Sequence, residues 1–129
     1  MKRAFLLLLF AFSTSAFAQE QLTGPEIETA LSGNTTIATG TTGTPWRQFF
    51  AGDGTTRYYS GSQPASLGEW RVQGDEYCSL WPPARTWDCY TVLRSDQIII
   101  WLRDGAEPDS SILYDGDQTL GALPPGHPK

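Results

Sequence analysis

Between Thr35 and Tyr114 the chain is a succession of short runs rich in β-branched and aromatic residues, each closed by Gly, Asp, Ser or Pro. The runs recur at about 8–12 residues, the spacing of an all-β sandwich or small barrel. They are read as strands near 35–39, 46–51, 55–60, 68–73, 76–81, 88–94, 97–102 and 110–114. Consecutive runs stand too close together for crossover helices, so neighbours pair antiparallel. Gly52-Asp53-Gly54, Gly74-Asp75, Ser95-Asp96 and Arg103-Asp104-Gly105 supply the turns. The expected fold is all-β, a small antiparallel barrel or sandwich of about eight strands with a short N-terminal helix and one disulfide.

The helix is expected from Leu22 to Gly33. Thr23 and Glu26 form a capping box, Leu22 can staple onto Ile27, and Pro25 sits where a missing N–H is harmless. Ile27, Ala30 and Leu31 share one face and Gly33 supplies the residue after the C-cap, so a helix of about eight residues should plug one end of the β structure. Within the strands, alternation turns Trp70 and Val72 inward. The unbroken run Ile98 to Trp101 predicts a central strand covered on both faces.

The two ends bound the compartment. Lys2 and Arg3, the apolar stretch Ala4 to Phe12 and Ala16-Phe17-Ala18 read as a signal peptide over 1–18, cleaved before Gln19. That places the protein in the periplasm or outside the cell, without insertion in the membrane once the signal is gone. A single β domain is expected over 19–120 and a disordered Pro-rich tail over 121–129. Loss of the signal removes two cations and no acid, taking the formal charge from −5 to −7. So acidic a domain repels phosphate backbones, and no nucleic-acid partner is expected.

The two cysteines, Cys78 and Cys89, pair by elimination if oxidised, as exported cysteines usually are. Opposite each other on a hairpin, they predict paired positions that place Leu80 across from Trp87 and Trp81 across from Thr86, with Pro82-Pro83-Ala84-Arg85 as the tip. Trp and Arg dominate binding hot spots, and a disulfide-based, Pro-restricted loop loses little entropy on binding. Trp81, Arg85 and Trp87 are therefore the expected recognition residues, although either tryptophan could instead pack onto the stem or into the core.

Chemistry-bearing residues are few. The single histidine, His127, lies in the tail, and there is no phosphate-binding loop, zinc-peptidase or serine-hydrolase motif. No catalytic residue, cofactor or metal site is assigned. Glu69, Glu76 and Asp88 could serve acid-dependent hydrolysis but fit solvent-facing charges better. Asp115-Gly116-Asp117 and Asp53-Gly54 read as turns rather than calcium loops. The abundant aromatics, with neighbours such as Phe49-Phe50 and Tyr58-Tyr59 on opposite faces of a strand, exceed what a small core encloses, so some either form an exposed recognition surface beside Arg or are covered by the helix and loops.

Gly68-Glu69-Trp70, a G-x-W on a strand, is similar to the motif that closes one end of lipocalins and other calycin barrels. Here about 60 residues follow it, too few for the rest of a full-sized lipocalin, so a ligand cavity is not implied. With the signal, the Leu22 to Ile27 helix start, Asp53-Gly54-Thr55 and the Cys pair, the chain resembles an uncharacterised family of small exported β proteins of Gram-negative bacteria. More distantly it resembles calycin-like periplasmic protease-inhibitor barrels, which would place Gln19 to Leu22 in a protease cleft. The expected function is a non-catalytic binding or inhibitory module with an envelope protein or small ligand as partner. An acidic-residue envelope hydrolase and a structural or stress-related envelope protein are the alternatives.

Overall fold

The computed structural model describes residues 19–38 and 45–121. The signal peptide expected over 1–18 and, apart from Gly121, the tail expected over 121–129 lie outside the described residues. The elements are β1 (Glu20–Gln21), α1 (Gly24–Leu31), β2 (Asn34–Ala38), β3 (Trp46–Phe50), β4 (Thr55–Ser60), β5 (Ser66–Gln73), β6 (Glu76–Leu80), β7 (Asp88–Ser95), β8 (Ile98–Leu102) and β9 (Asp109–Tyr114). From β2 on, each strand pairs antiparallel with the next, and β9 returns to pair with β2, for example Thr36 with Leu113. The result is a closed up-and-down barrel, which leaves no free sheet edge among these strands.

Two-residue periodicity sets the interior. Phe50, Trp70, Tyr77, Val92, Ile99, Trp101 and Leu113 are all buried, and the rings stack through the centre: Phe50 meets Trp70 edge-on at 5.7 Å between centroids, and Tyr77 meets Trp101 at 5.0 Å. The glycine-rich turns and the capping box form as expected. The Thr23 hydroxyl accepts the Glu26 N–H while the Glu26 carboxylate accepts the Thr23 N–H, and Gly33 closes the helix at φ +76°.

One barrel end is sealed by the N-terminal segment. Ile27 and Leu31 of α1 are fully buried and join the core cluster with Leu22 and Ala30. The helix start is seated on the β5–β6 turn, where the Gly24 N–H donates to Asp75 Oδ1 at 2.8 Å. A Cβ on Gly24 would lie 2.2 Å from the Gly74 carbonyl oxygen, so only glycine permits this approach. β1, absent from the sequence expectation, uses the length of β7 that β6 leaves free: β6 covers Asp88 to Thr91, while Gln21 and Glu20 pair with Leu93 and Arg94. The stretch Gln19 to Leu22 is thus largely committed to the domain, with Leu22 buried and its N–H donated to Val92.

One further expectation is corrected. β8 is covered on one face only: Ile99 and Trp101 are buried, but Ile98 is 46% exposed, because its outward neighbours carry no covering layer. The strand buried on both faces is β2 instead. Its outward Thr35 and Ile37 are covered as the chain after β9 folds back, with the Thr35 hydroxyl donating to the Gly116 carbonyl and accepting the Gln118 N–H. Arg47 of β3 donates to the carbonyls of Gln118 and Gly121, and Arg57 of β4 pairs with Asp117.

Candidate functional site

Among the described residues, nothing plugs the barrel end opposite α1. Strands β3, β5, β7 and β9 begin there, and Trp46, Ser66, Tyr90 and Asp109 from them line a pocket of ≈ 530 Å³. Its walls are mainly rings: Trp46 and Tyr58 lie 5.6 Å apart, and Trp81 meets Tyr58 edge-on at 6.0 Å. Tyr77, Tyr90 and Trp101 continue the lining down to the core. A volume of several hundred cubic ångströms with mostly aromatic walls and a few polar groups is the usual form of a small-molecule site.

The floor carries a small polar network. The Gln48 side-chain amide donates to the Thr56 hydroxyl at 3.0 Å and to the Tyr77 phenol oxygen at 2.9 Å. Burial pushes the Tyr77 phenol far up, against the lowering effect of its hydrogen bonds with Ser79 and Gln48, so it is a neutral group there. The Tyr58 phenol is also raised: partial burial outweighs the opposing hydrogen bond with Ser60, and the negative charge of Asp109 adds to the effect. Asp109, on the pocket lining, accepts the neighbouring Ser110 N–H and forms no ion pair among the described residues.

The structure separates the three expected recognition residues. The β6–β7 ladder follows the expected register, with Cys78 opposite Cys89 and a disulfide between them, but it stops at Ser79 and Asp88. Leu80 with Trp87 and Trp81 with Thr86 are therefore not ladder pairs, because the chain turns at Pro82-Pro83, where Ala84 N–H donates back to the Trp81 carbonyl. Trp81 bends over the mouth, its indole N–H donating to Ser79 Oγ at 3.2 Å. Arg85 is exposed at the loop tip. Trp87 lies away from the pocket on the outer face, under the Arg71 guanidinium at 4.0 Å from the ring centroid. Trp81 alone of the three lines the cavity.

Gly68 explains how Trp81 is held. A Cβ there would fall 2.6 Å from the Leu80 carbonyl oxygen and 2.6 Å from the Trp81 ring, so the ring rests on the bare Cα of the G-x-W glycine. The tryptophan of that motif, Trp70, lies deep in the barrel and donates its indole N–H to the Ala51 carbonyl. Trp46, Tyr58, Gln48 and Asp109 escaped assignment to a site from sequence. The aromatic excess flagged Trp46 and Tyr58 only as members of a general set, and their inward parity at one end of adjacent or closing strands needs the register and the closure to be read.

The carboxylates considered for catalysis are not brought together. Glu69 and Glu76 alternate with inward Trp70 and Tyr77 and face outward, whereas Asp88 alternates with Tyr90 and faces the mouth, 3.5 Å from Arg103. Asp53 and Asp117 act in turns: Asp53 accepts the Thr55 N–H and hydroxyl, and Asp117 accepts those of Thr119. Among the described residues no group of three His, Cys, Asp or Glu side chains could hold a metal ion. No family model, no curated protein and no solved structure matches the chain.

Proposed function

We propose that the protein is a non-catalytic binding module of the bacterial envelope that takes a small ligand in the mouth of its barrel. The asymmetry of the two barrel ends carries this reading. One end is filled by α1 with fully buried Ile27 and Leu31, while the described residues of the other turn Trp46, Tyr58, Trp81 and Tyr90 toward a pocket of ≈ 530 Å³. Leaving apolar surface unburied forgoes roughly 25 cal/mol per Å² of stabilisation, so a mouth lined with half-buried rings is a cost to folding that a ligand would recover. Export follows from the signal peptide. Protein purified from the periplasm, its intact mass placing the N-terminus at Gln19, is screened against small ligands by intrinsic tryptophan fluorescence. Saturable changes abolished by Trp46→Ala at unchanged melting temperature support the site; a pocket that responds to nothing, together with an unprocessed N-terminus, defeats both parts of the reading.

A second reading, an inhibitory or protein-binding role for the β6–β7 loop, is favoured by exposed Arg85 on a loop whose stem is joined by the disulfide. Capture of one periplasmic protein, lost with Arg85→Ala but retained with Trp46→Ala, selects it.

A further inference from the structure

We infer that the ligand of the mouth pocket is a small organic cation, an ammonium group carried on an apolar body. The inference rests on the mouth being a binding site, and it concerns which chemistry that site selects. Trp46 and Tyr58 pack at 5.6 Å with their planes inclined by 32°, and Trp81 meets Tyr58 edge-on at 6.0 Å, so the three rings form a continuous aromatic wall of the pocket. Ring faces carry negative electrostatic potential and attract cations, most strongly for tryptophan. Asp109 lies on the same lining and acts electrostatically on the Tyr58 phenol, yet among the described residues no cation of the chain pairs with it.

Asp88 shows the same chemistry already filled. That carboxylate, also at the mouth, is satisfied by Arg103, whose guanidinium sits over the Tyr90 ring 5.4 Å from its centroid. Among the described residues the protein thus fills one aromatic-carboxylate pair of the mouth with its own arginine and leaves the other, Asp109 with the Trp46, Tyr58 and Trp81 rings, without one. The formal charge of −5 for the whole chain favours approach of a cation and disfavours an anion. The pocket's size accommodates a body larger than the cationic head alone, which is why an apolar substituent belongs to the inferred ligand.

The test uses the oxidised, exported protein with two probes of the same shape, phenyltrimethylammonium and its neutral isostere tert-butylbenzene, followed by calorimetry and by the indole N–H resonances of Trp46 and Trp81. The neutral probe is the more hydrophobic, so a pocket governed by apolar burial alone prefers it. The expected result is the reverse, with the cation bound at least about five-fold more tightly. Asp109→Asn should weaken the cation by about five-fold or more and leave the neutral probe within about two-fold. Independently of any variant, raising sodium chloride from about 0.05 to about 0.5 M should weaken only the cation. Equal or tighter binding of tert-butylbenzene, or a cation affinity indifferent to both Asp109→Asn and salt, overturns the cation assignment while leaving the pocket a binding site. Absence of any shift at Trp46 and Trp81 with either probe overturns the assignment and the binding site together. Tighter binding of Nα-acetyl-lysine amide than of phenyltrimethylammonium overturns the small free cation in favour of a lysine side chain.

Discussion

Gly68→Ala puts a methyl group where the structure has no room for one. The added Cβ would lie 2.6 Å from the Leu80 carbonyl oxygen and 2.6 and 2.9 Å from two carbons of the Trp81 ring. Ordinary van der Waals contact needs about 3.5–4.0 Å, so something must move by roughly an ångström. The Leu80 carbonyl belongs to the β5–β6 ladder, where Leu80 pairs with Glu69, and cannot shift without disturbing it. The Trp81 ring, in the loop beyond β6, is the part able to yield. Overpacking of this kind costs about 1–3 kcal/mol. Against it, Gly68 has no positive φ, so alanine fits the backbone and restricting the unfolded chain returns about 0.4–1 kcal/mol. The net expectation is a loss of about 1–2 kcal/mol. With an unfolding entropy of about 0.2 kcal/mol/K for a domain near 100 residues, the melting temperature should fall by about 5–10 °C. Thermal unfolding by circular dichroism measures this, and a cycle with Trp81→Ala apportions it. If the ring takes the strain, Gly68→Ala costs markedly less in the Trp81→Ala background, and in the single variant the Trp81 indole N–H resonance moves as its bond to Ser79 is lost. An unchanged melting temperature with an unmoved Trp81 resonance would refute the claim that the ring rests on Gly68.

Four other outcomes are expected. Reducing the Cys78–Cys89 bond, which closes a sequence separation of 11, should remove about 3 kcal/mol and lower the melting temperature by more than about 10 °C; a thermogram insensitive to reductant contradicts this. In the loop, Trp81→Ala should weaken any pocket ligand, Arg85→Ala should change neither the pocket nor stability, and Trp87→Ala should cost only about 0.5–1 kcal/mol through the lost stack with Arg71, with ligand titrations and melts separating the three. Thr36→Val should stabilise by about 1 kcal/mol in urea unfolding, because Thr36 Oγ1 is buried without a hydrogen-bond partner among the described residues; a loss of stability would reveal one. Acid should destabilise the fold below about pH 4. Hydrogen bonds from the Thr23 backbone and side chain lower Glu26, and those from the Thr55 side chain and backbone lower Asp53. At Asp117, partial burial acts upward but is outweighed by hydrogen bonds from Thr119 and by Arg57. With folded values below unfolded ones, the stabilisation is complete above the unfolded pKa and lost as pH falls through the folded ones. Urea midpoints at pH 3 no lower than at pH 6 would contradict this sign.

The sequence by itself determined the local elements and the hairpin pairing. Capping chemistry at Thr23 and Glu26 placed α1, and turn residues such as Gly74-Asp75 bounded strands whose two-residue alternation pointed Trp70 and Val72 inward. With only two cysteines in an antiparallel hairpin, the Cys78–Cys89 register followed as well. These features act over a few residues, or between strands joined by a tight turn, so their signals sit next to one another in the chain. Closure did not have that property. Pairing of β9 with β2, the seating of β1 beside β7 and the return of residues 116–121 over Thr35 join positions far apart in sequence. That is why β2, and not the all-apolar Ile98 to Trp101 run, is the strand buried on both faces. The candidate site belongs to the same class. Trp81 was legible as a loop tryptophan, but whether it faced the pocket or the outer surface with Trp87 depended on where the ladder ended and on the bare Cα of Gly68. Trp46 and Tyr58 are neighbours on the paired strands β3 and β4, but Trp81 beyond β6 and Asp109 of β9 come to the same pocket only because the sheet curls shut. Periodicity gives the face of each strand, but only closure decides which faces look at one another.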